Sequence, residues 1–377
     1  MIEVFVISDN IITSLGFDTD ENVSNIKRYK TGITKLKNLE FWTEPFFASL
    51  INSERLKDEF SKIGDIQKFT RFEQICIFSA SNALNNYSVN TNSSDTIFII
   101  STTKGNIDLL KHNCNFDYER VYIDKASSII SSFFNNPNTP IIVSNACISG
   151  VLAINTAKRL ISSGIYKNAI IIGGDIISEF VVSGFQSFKS LSFGPCKPFD
   201  IARDGLSLGE GASTIILSSE IKSNIKVLEG ASANDANHIS GPSKTGEGLY
   251  ISIEKALNFS GIKAIEIDYI SAHGTATPYN DEMEAIAISR AGLLNSYVNS
   301  YKGYFGHTLG AAGIAESVLA IYSLKYNFLF ASLGFENKGV SEDLKVIEKH
   351  KEVKLNKILK IASGFGGCNA SIIFDKI

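Results

Sequence analysis

The chain has 377 residues, with 36 lysines and arginines against 39 acids and a net charge of −3, so no global basic field draws nucleic acid or an anionic membrane. Apolar residues make up 44% and charged residues 20%, the balance of a soluble globular protein large enough for two packed halves or one large α/β unit. No apolar run approaches the roughly 20 residues that cross a bilayer.

The amino terminus, Met1-Ile2-Glu3-Val4-Phe5-Val6-Ile7, lacks the basic lead and cleavage site of a signal peptide and reads as a strand, so the expected compartment is the cytoplasm. Next come a helical pattern from Phe72 to Tyr87 and then three continuous apolar runs, Thr96–Ile100, Pro140–Val143 and Ala169–Ile172. Such runs mark strands buried on both faces in a sheet covered by helices. Helical patterns follow at Val151–Ser163, Gly248–Phe259 and Ala311–Tyr326, and the alternation predicts an α/β architecture. Between the strand-like Thr214–Leu217 and Ile225–Leu228 lies Lys222-Ser223-Asn224, which places the boundary near residue 220 and divides the chain into 1–219 and 220–377. No low-complexity linker separates the halves, so they are expected to share a core.

One internal similarity matters. Ile141–Val143 leads through Asn145-Ala146-Cys147 into a helix rich in small and aliphatic residues, and Tyr297–Asn299 leads through Gly306-His307 into another. Each unit presents a reactive side chain at a helix start, as a duplicated fold with a site between its halves would do.

The five cysteines (76, 114, 147, 196 and 368) are odd in number and contain no C-x-x-C pair, which argues against a disulfide framework and against zinc; no metal is expected. Cys147 opens a segment uncharged until Lys158, and the unpaired N–H groups and dipole of a helix start are expected to lower its thiol pKa. His273 lies in Ser271-Ala272-His273-Gly274-Thr275-Ala276-Thr277-Pro278, at the end of a strand pattern. His307 follows Lys302-Gly303-Tyr304-Phe305-Gly306, where small residues permit close packing. Gly364-Phe365-Gly366-Gly367 joins two strand patterns in a turn able to expose backbone N–H groups as an oxyanion hole, without the spacing of a nucleotide-binding loop. Alone, each motif equally suits an ordinary core or turn residue. A fifth segment, Lys197–Asp200 with Arg203-Asp204-Gly205 and Gly209-Glu210-Gly211, reads as a structural network of ion pairs and turns.

Together and in order, these motifs resemble the β-ketoacyl-acyl carrier protein synthases of the elongating class, from about Ile97 to the carboxyl terminus. The resemblance implies a thiolase-like fold, five layers of alternating helices and sheets built from two similar halves. It implies transfer of an acyl group from an acyl carrier protein to Cys147, followed by decarboxylation of a malonyl carrier and attack of the resulting enolate on the acyl-cysteine, with no cofactor. His273 and His307 would act as neutral hydrogen-bond donors to the developing negative charge. The N–H groups of Cys147 and Phe365 would hold the oxyanion, with Phe365 as a gate; Lys302 and Glu284 would pair to position the histidines. Thr275, Thr277, Gly364 and Gly366 would line the substrate site. Lys68 and Arg71 would meet the acidic carrier, or else form an ordinary solvated pair. The implied assembly is a homodimer, or a heterodimer with a chain-length-factor-like subunit.

Ile148, Cys368 and the polar Ser101-Thr102-Thr103-Lys104-Gly105 depart from the family pattern, so fatty acid elongation and specialised polyene or polyketide synthesis both stay open. The alternatives are a coenzyme A thiolase, which would want a cysteine before the glycine turn rather than Cys368 after it, and a non-catalytic chain-length factor, which would lack Cys147.

Overall fold

The computed structural model describes residues 2–37, 41–85, 89–111, 115–235, 237–238 and 241–377; Cys114 and Tyr87 lie outside them. In the first half the strands of the large sheet are β1 (Phe5–Ile12), β2 (Thr96–Ser101), β3 (Ile141–Val143), β4 (Asn168–Asp175) and β5 (Gly211–Ser218). In the second they are β6 (Ile225–Asn234), β7 (Tyr269–Ser271), β8 (Tyr297–Asn299), β9 (Lys357–Gly364) and β10 (Cys368–Lys376). The helices used below are α1 (Arg71–Leu84), α2 (Ile123–Phe133), α3 (Ser149–Ser162), α4 (Glu179–Ser187), α5 (Glu247–Ser260), α6 (Pro278–Arg290) and α7 (Ala312–Tyr326).

The first half is ordered β1-β5-β4-β2-β3 and the second β6-β10-β9-β7-β8, extended at its edge by Lys345–Val346. The senses agree as well as the order: the first two pairings in each half are antiparallel and the next two parallel. The second half therefore repeats the topology of the first. The halves meet at Phe5 and Lys226 and at the Val227 N–H bond to the Val4 carbonyl (2.8 Å).

Alternation along the strands shows the layers. Ile97 and Ile99 of β2, with Ile358 and Ala362 of β9, share a core with Val151 and Ile154 of α3 and Ile314 and Val318 of α7. Phe98 and Ile100 face the other way, onto Phe72 and Ile75 of α1, whereas Leu359 and Ile361 face Leu249 and Ile253 of α5. A strand sends successive side chains to opposite faces, so α3 and α7 form a central layer, each sheet half lies outside it, and the remaining helices cover the outside. This is the thiolase-like sandwich.

Local chemistry sets the element ends. Thr70 and Glu73 form a reciprocal cap at the start of α1. Pro278 supplies the fixed φ suited to the first turn of α6. The charged segment around residues 197–211 forms the network its sequence suggests: Asp200 accepts from Glu336 and Asn337 N–H, Arg203 donates to carbonyls including that of Gly339, and Glu210 pairs with Arg71. Among the described residues no helix is long and apolar enough to cross a membrane.

The central helices approach closely because glycines lie at the contact. A Cβ at Gly150 would come within 2.8 Å of Ile314 N and 2.9 Å of Gly313 Cα, and one at Gly313 within 2.6 Å of Val151 N. Gly150→Ala should lower stability by roughly 1–3 kcal/mol in denaturant titration, the usual range for overpacking, with a larger proportional loss of activity than of folded protein.

Candidate active site

Cys147 stands between β3 and α3 on a tight elbow. Ala146 has φ 45°, a left-handed value unusual for a residue with a Cβ. The elbow is closed by Ser149, whose Oγ donates to Ala146 O and accepts from Asn145 N, both at 2.7 Å. His307 reaches the same point from the other half. Its Nε2 is 2.9 Å from Cys147 Sγ, and its Nδ1 accepts from Leu309 N–H at 3.3 Å. In the neutral ring the proton therefore resides on Nε2, facing the sulfur. Asp175, at the end of β4, secures this turn by accepting from Gly310 N at 2.7 Å and from Thr103 N at 2.9 Å.

His273 lies edge-on to His307, with ring centroids 5.1 Å apart. Behind it is the fully buried Lys302, whose Nζ donates to the His273 carbonyl at 2.5 Å and lies 3.4 Å from Nδ1. A cation there makes Nδ1 the acceptor and leaves Nε2 protonated. Burial, reinforced by the Lys302 and Lys360 charges, holds both imidazoles well below their usual pKa, so both are neutral donors near pH 7.

Two expectations are corrected. Lys302 pairs not with Glu284 but with Glu316, at 2.5 Å. Glu284 instead accepts the His273 and Gly274 N–H groups, both at 2.6 Å, and so fixes the backbone that presents His273. The second concerns the thiol. Burial outweighs the helix start and pushes Cys147 up to about 12, so the resting sulfur is a thiol and not a thiolate.

Cys147, His273 and His307 line a cavity of about 320 Å³ together with Thr275, Thr277, Gly364 and Phe365. Thr275 and Thr277 hydroxyls bond each other at 2.9 Å. Gly364 lies so close to the nucleophile that a Cβ there would be 3.0 Å from Cys147 N. Gly366 is exposed outside the lining, where its φ of +84° serves the turn. Phe365 rests against Phe188 and Phe185, at 5.1 and 5.7 Å between ring centroids. Arg71 is tied to the buried Glu210 at 2.7 Å and to Ile51 O. Lys68 is exposed, 4.0 Å from Asp65.

The Cys147, His273 and His307 donor atoms lie within 4.8 Å of one another. They suit a metal poorly, because a ligating imidazole normally donates its second N–H outward, whereas both Nδ1 atoms here face donors.

Glu316 and Lys360 escaped the sequence reading. Each is a lone charge in an apolar pattern, Glu316 within Ala312–Ile321 and Lys360 within Ile358–Ile361, and that isolation was the available signal.

The family model for the N-terminal domain of β-ketoacyl synthases matches residues 1–222, and that for the C-terminal domain matches residues 225–336. The chain belongs to the β-ketoacyl synthase family. A putative mitochondrial 3-oxoacyl-[acyl-carrier-protein] synthase of Schizosaccharomyces pombe is 29% identical, over 97% of both chains. A 3-oxoacyl-[acyl-carrier-protein] synthase 2 of Coxiella burnetii is 30% identical over 68% of this chain and 66% of its own. Among solved structures, a ketosynthase of Xenorhabdus doucetiae in complex with its chain length factor shares the fold with TM-score 0.86 at 23% identity, covering 100% of this chain and 98% of that one. A β-ketoacyl synthase of Burkholderia phymatum gives 0.88 at 21% identity, with complete coverage of both.

A neutral thiol at rest has a measurable signature. Alkylation of Cys147 by iodoacetamide should keep rising between pH 7 and 9.5 without a plateau. His307→Ala should slow it at pH 8 by about tenfold or more, the worth of one hydrogen bond to a forming thiolate.

Proposed function

We propose that this synthase extends an acyl chain by decarboxylative condensation, with Cys147 as the covalent carrier. The observation that carries the reading is the 2.9 Å approach of His307 Nε2 to Cys147 Sγ, beside a second neutral imidazole. In the first stage the sulfur attacks the thioester on the phosphopantetheine arm of an acyl carrier protein. The arm's thiol departs with the proton, leaving the acyl group on Cys147. Malonyl carrier then enters, its C–C bond breaks to release carbon dioxide, and the electron pair passes to the thioester oxygen as an enolate.

Nε2–H groups of His273 and His307 are aimed where that charge forms. The enolate carbon attacks the acyl carbonyl, and collapse of the tetrahedral oxyanion expels the Cys147 thiolate, which takes a proton from water to regain the resting thiol. The Cys147 and Phe365 N–H groups are the assigned donors to this oxyanion. Because the acyl group stays on Cys147 while the malonyl unit enters beside it, covalent capture supplies the orientation. No electrons leave the substrates, so the chemistry calls for no redox cofactor, and decarboxylation is driven by hydrogen bonds rather than by a metal.

An assembly is part of the reading. Among the described residues the edge strand β3 pairs on one side only, with β2, and its Ile141, Ile142 and Val143 are half-buried. We assign that edge to a second copy or a chain-length-factor-like subunit, in which this chain, with its full Cys–His–His set, is the active member. The reduced cysteines Cys76, Cys147, Cys196 and Cys368 suit the cytoplasm.

Incubation with acyl carriers of graded length, read by intact and peptide mass spectrometry, should place one acyl group on Cys147 and none on Cys147→Ala. Carbon dioxide release from malonyl carrier should fall at least a hundredfold in His273→Ala. A chain whose Cys147 stays unmodified with every carrier is not a condensing enzyme. The lengths accepted separate fatty acid elongation from polyene or polyketide assembly.

A further inference from the structure

Lys360 has no exposure to solvent, lies one layer behind the histidines and makes three contacts. Its Nζ donates to Ser271 O at 3.2 Å, Ala272 O at 3.1 Å and Glu316 Oε2 at 2.6 Å. Three oxygen acceptors require three N–H donors, so this amine is an ammonium. The first two acceptors are the carbonyls immediately before His273, at the end of β7. The third is the other oxygen of the carboxylate that holds Lys302 at 2.5 Å.

Two ammoniums thus share one carboxylate in a dry interior, an arrangement that desolvation opposes. The strand pattern offers no reason for it: Ile358 and Ala362 occupy the same face of β9 and belong to the central core. One Lys302–Glu316 pair would satisfy both partners. Lys360 therefore adds a charge that packing does not need.

We propose that Lys360 is a positioning residue for decarboxylation: it fixes the peptide that presents His273 and, with Lys302, sets a positive field behind both imidazoles that favours the enolate. This rests on the condensing reading given above.

The charged and titratable groups facing Lys360 come from every neighbouring element. They are Glu316 on α7, Lys302 beyond it, Glu284 on α6, and the two histidines. Asp281 lies one turn from Glu284 on α6, where burial pushes it up to about 6. Glu284 is a further acid near Lys360. Its oxygens already accept from His273 N, Gly274 N and the Asn280 amide, and burial pushes its pKa up. The Lys360 charge is among the causes that hold His273 and His307 neutral.

The test compares the full-length enzyme with Lys360→Met, which removes the charge and leaves a balanced Lys302–Glu316 pair. Histidine ring NMR titration, which needs no substrate, should show the midpoints of His273 and His307 rising by roughly 0.5–1 pH unit once the cation is gone. Carbon dioxide release from malonyl carrier should fall about tenfold in kcat with little change in KM, against about twofold for acyl transfer to Cys147. The acid limb of the decarboxylation profile should move to higher pH with the histidine midpoints.

If Lys360→Met does not fold, Lys360→Ser, which leaves room for water between Glu316 and the two carbonyls, carries the same comparison. Unmoved histidine midpoints in a folded variant overturn the proposal, and so does an equal loss in both half-reactions. Should the unmodified protein release no carbon dioxide, the condensing reading fails instead, while the NMR comparison still decides the role of Lys360.

Discussion

The backbones of α3 and α7 meet at Gly150 and Gly313 with no side chain between them, and the geometry of the site depends on that contact. Each helix begins a few residues from a reactive group, so the distance between helix starts sets the distance between Cys147 and His307. Larger residues at the crossing would separate the helices by an ångström or more, and a hydrogen bond does not survive such a displacement. Duplication explains why the crossing falls there. The corresponding strand-turn-helix units of the two halves pack against each other at Gly150 and Gly313, and their tips meet with them.

Behind this steric frame lies an electrostatic one. The atoms facing the cavity are neutral at rest: a thiol raised by burial and two imidazoles lowered by it. Charge is held one layer back, where Lys302 and Lys360 bracket Glu316 with donors that are all engaged. Such an arrangement needs little rearrangement when negative charge appears in the cavity, because the dipoles already point there. Glu284 and Asp175 contribute as acceptors of backbone N–H groups, fixing the turns that carry His273 and His307.

Much of this was legible in the sequence, for identifiable reasons. Runs such as Thr96–Ile100 have no polar alternation because both strand faces are covered, and they mark the sheet directly. Cys147, His273 and His307 stand in small-residue turns between patterned segments, and the structure brings all three together. The partner of Lys302 was not legible. Glu284 is the partner the resemblance implies, yet its oxygens are taken by backbone groups and Asn280, and Glu316 reaches Lys302 from a helix in which it is a lone acid among apolar residues. Pairing among buried charges depends on which layers face each other, which spacing along the chain does not encode. The thiol likewise turned on burial depth rather than on its place at a helix start. Arg71 shows the same limit at the surface, where its ion-pair partner, Glu210, lies far along the chain.

The Phe365 ring has a consequence for how the cavity is populated. It lies against Phe188 and Phe185, and contacts of this kind are worth about 0.5–1.5 kcal/mol each. Together they hold the ring in place by about 1–3 kcal/mol, so a conformation with Phe365 swung clear amounts to roughly one molecule in six to one in 160 before any ligand binds. A ligand that requires that conformation binds more weakly by the same fraction, and only one with enough contact surface overcomes the handicap. For a ligand that needs the ring moved, the aromatic cluster sets a threshold through ring contacts alone, separate from the chemistry of the sulfur below.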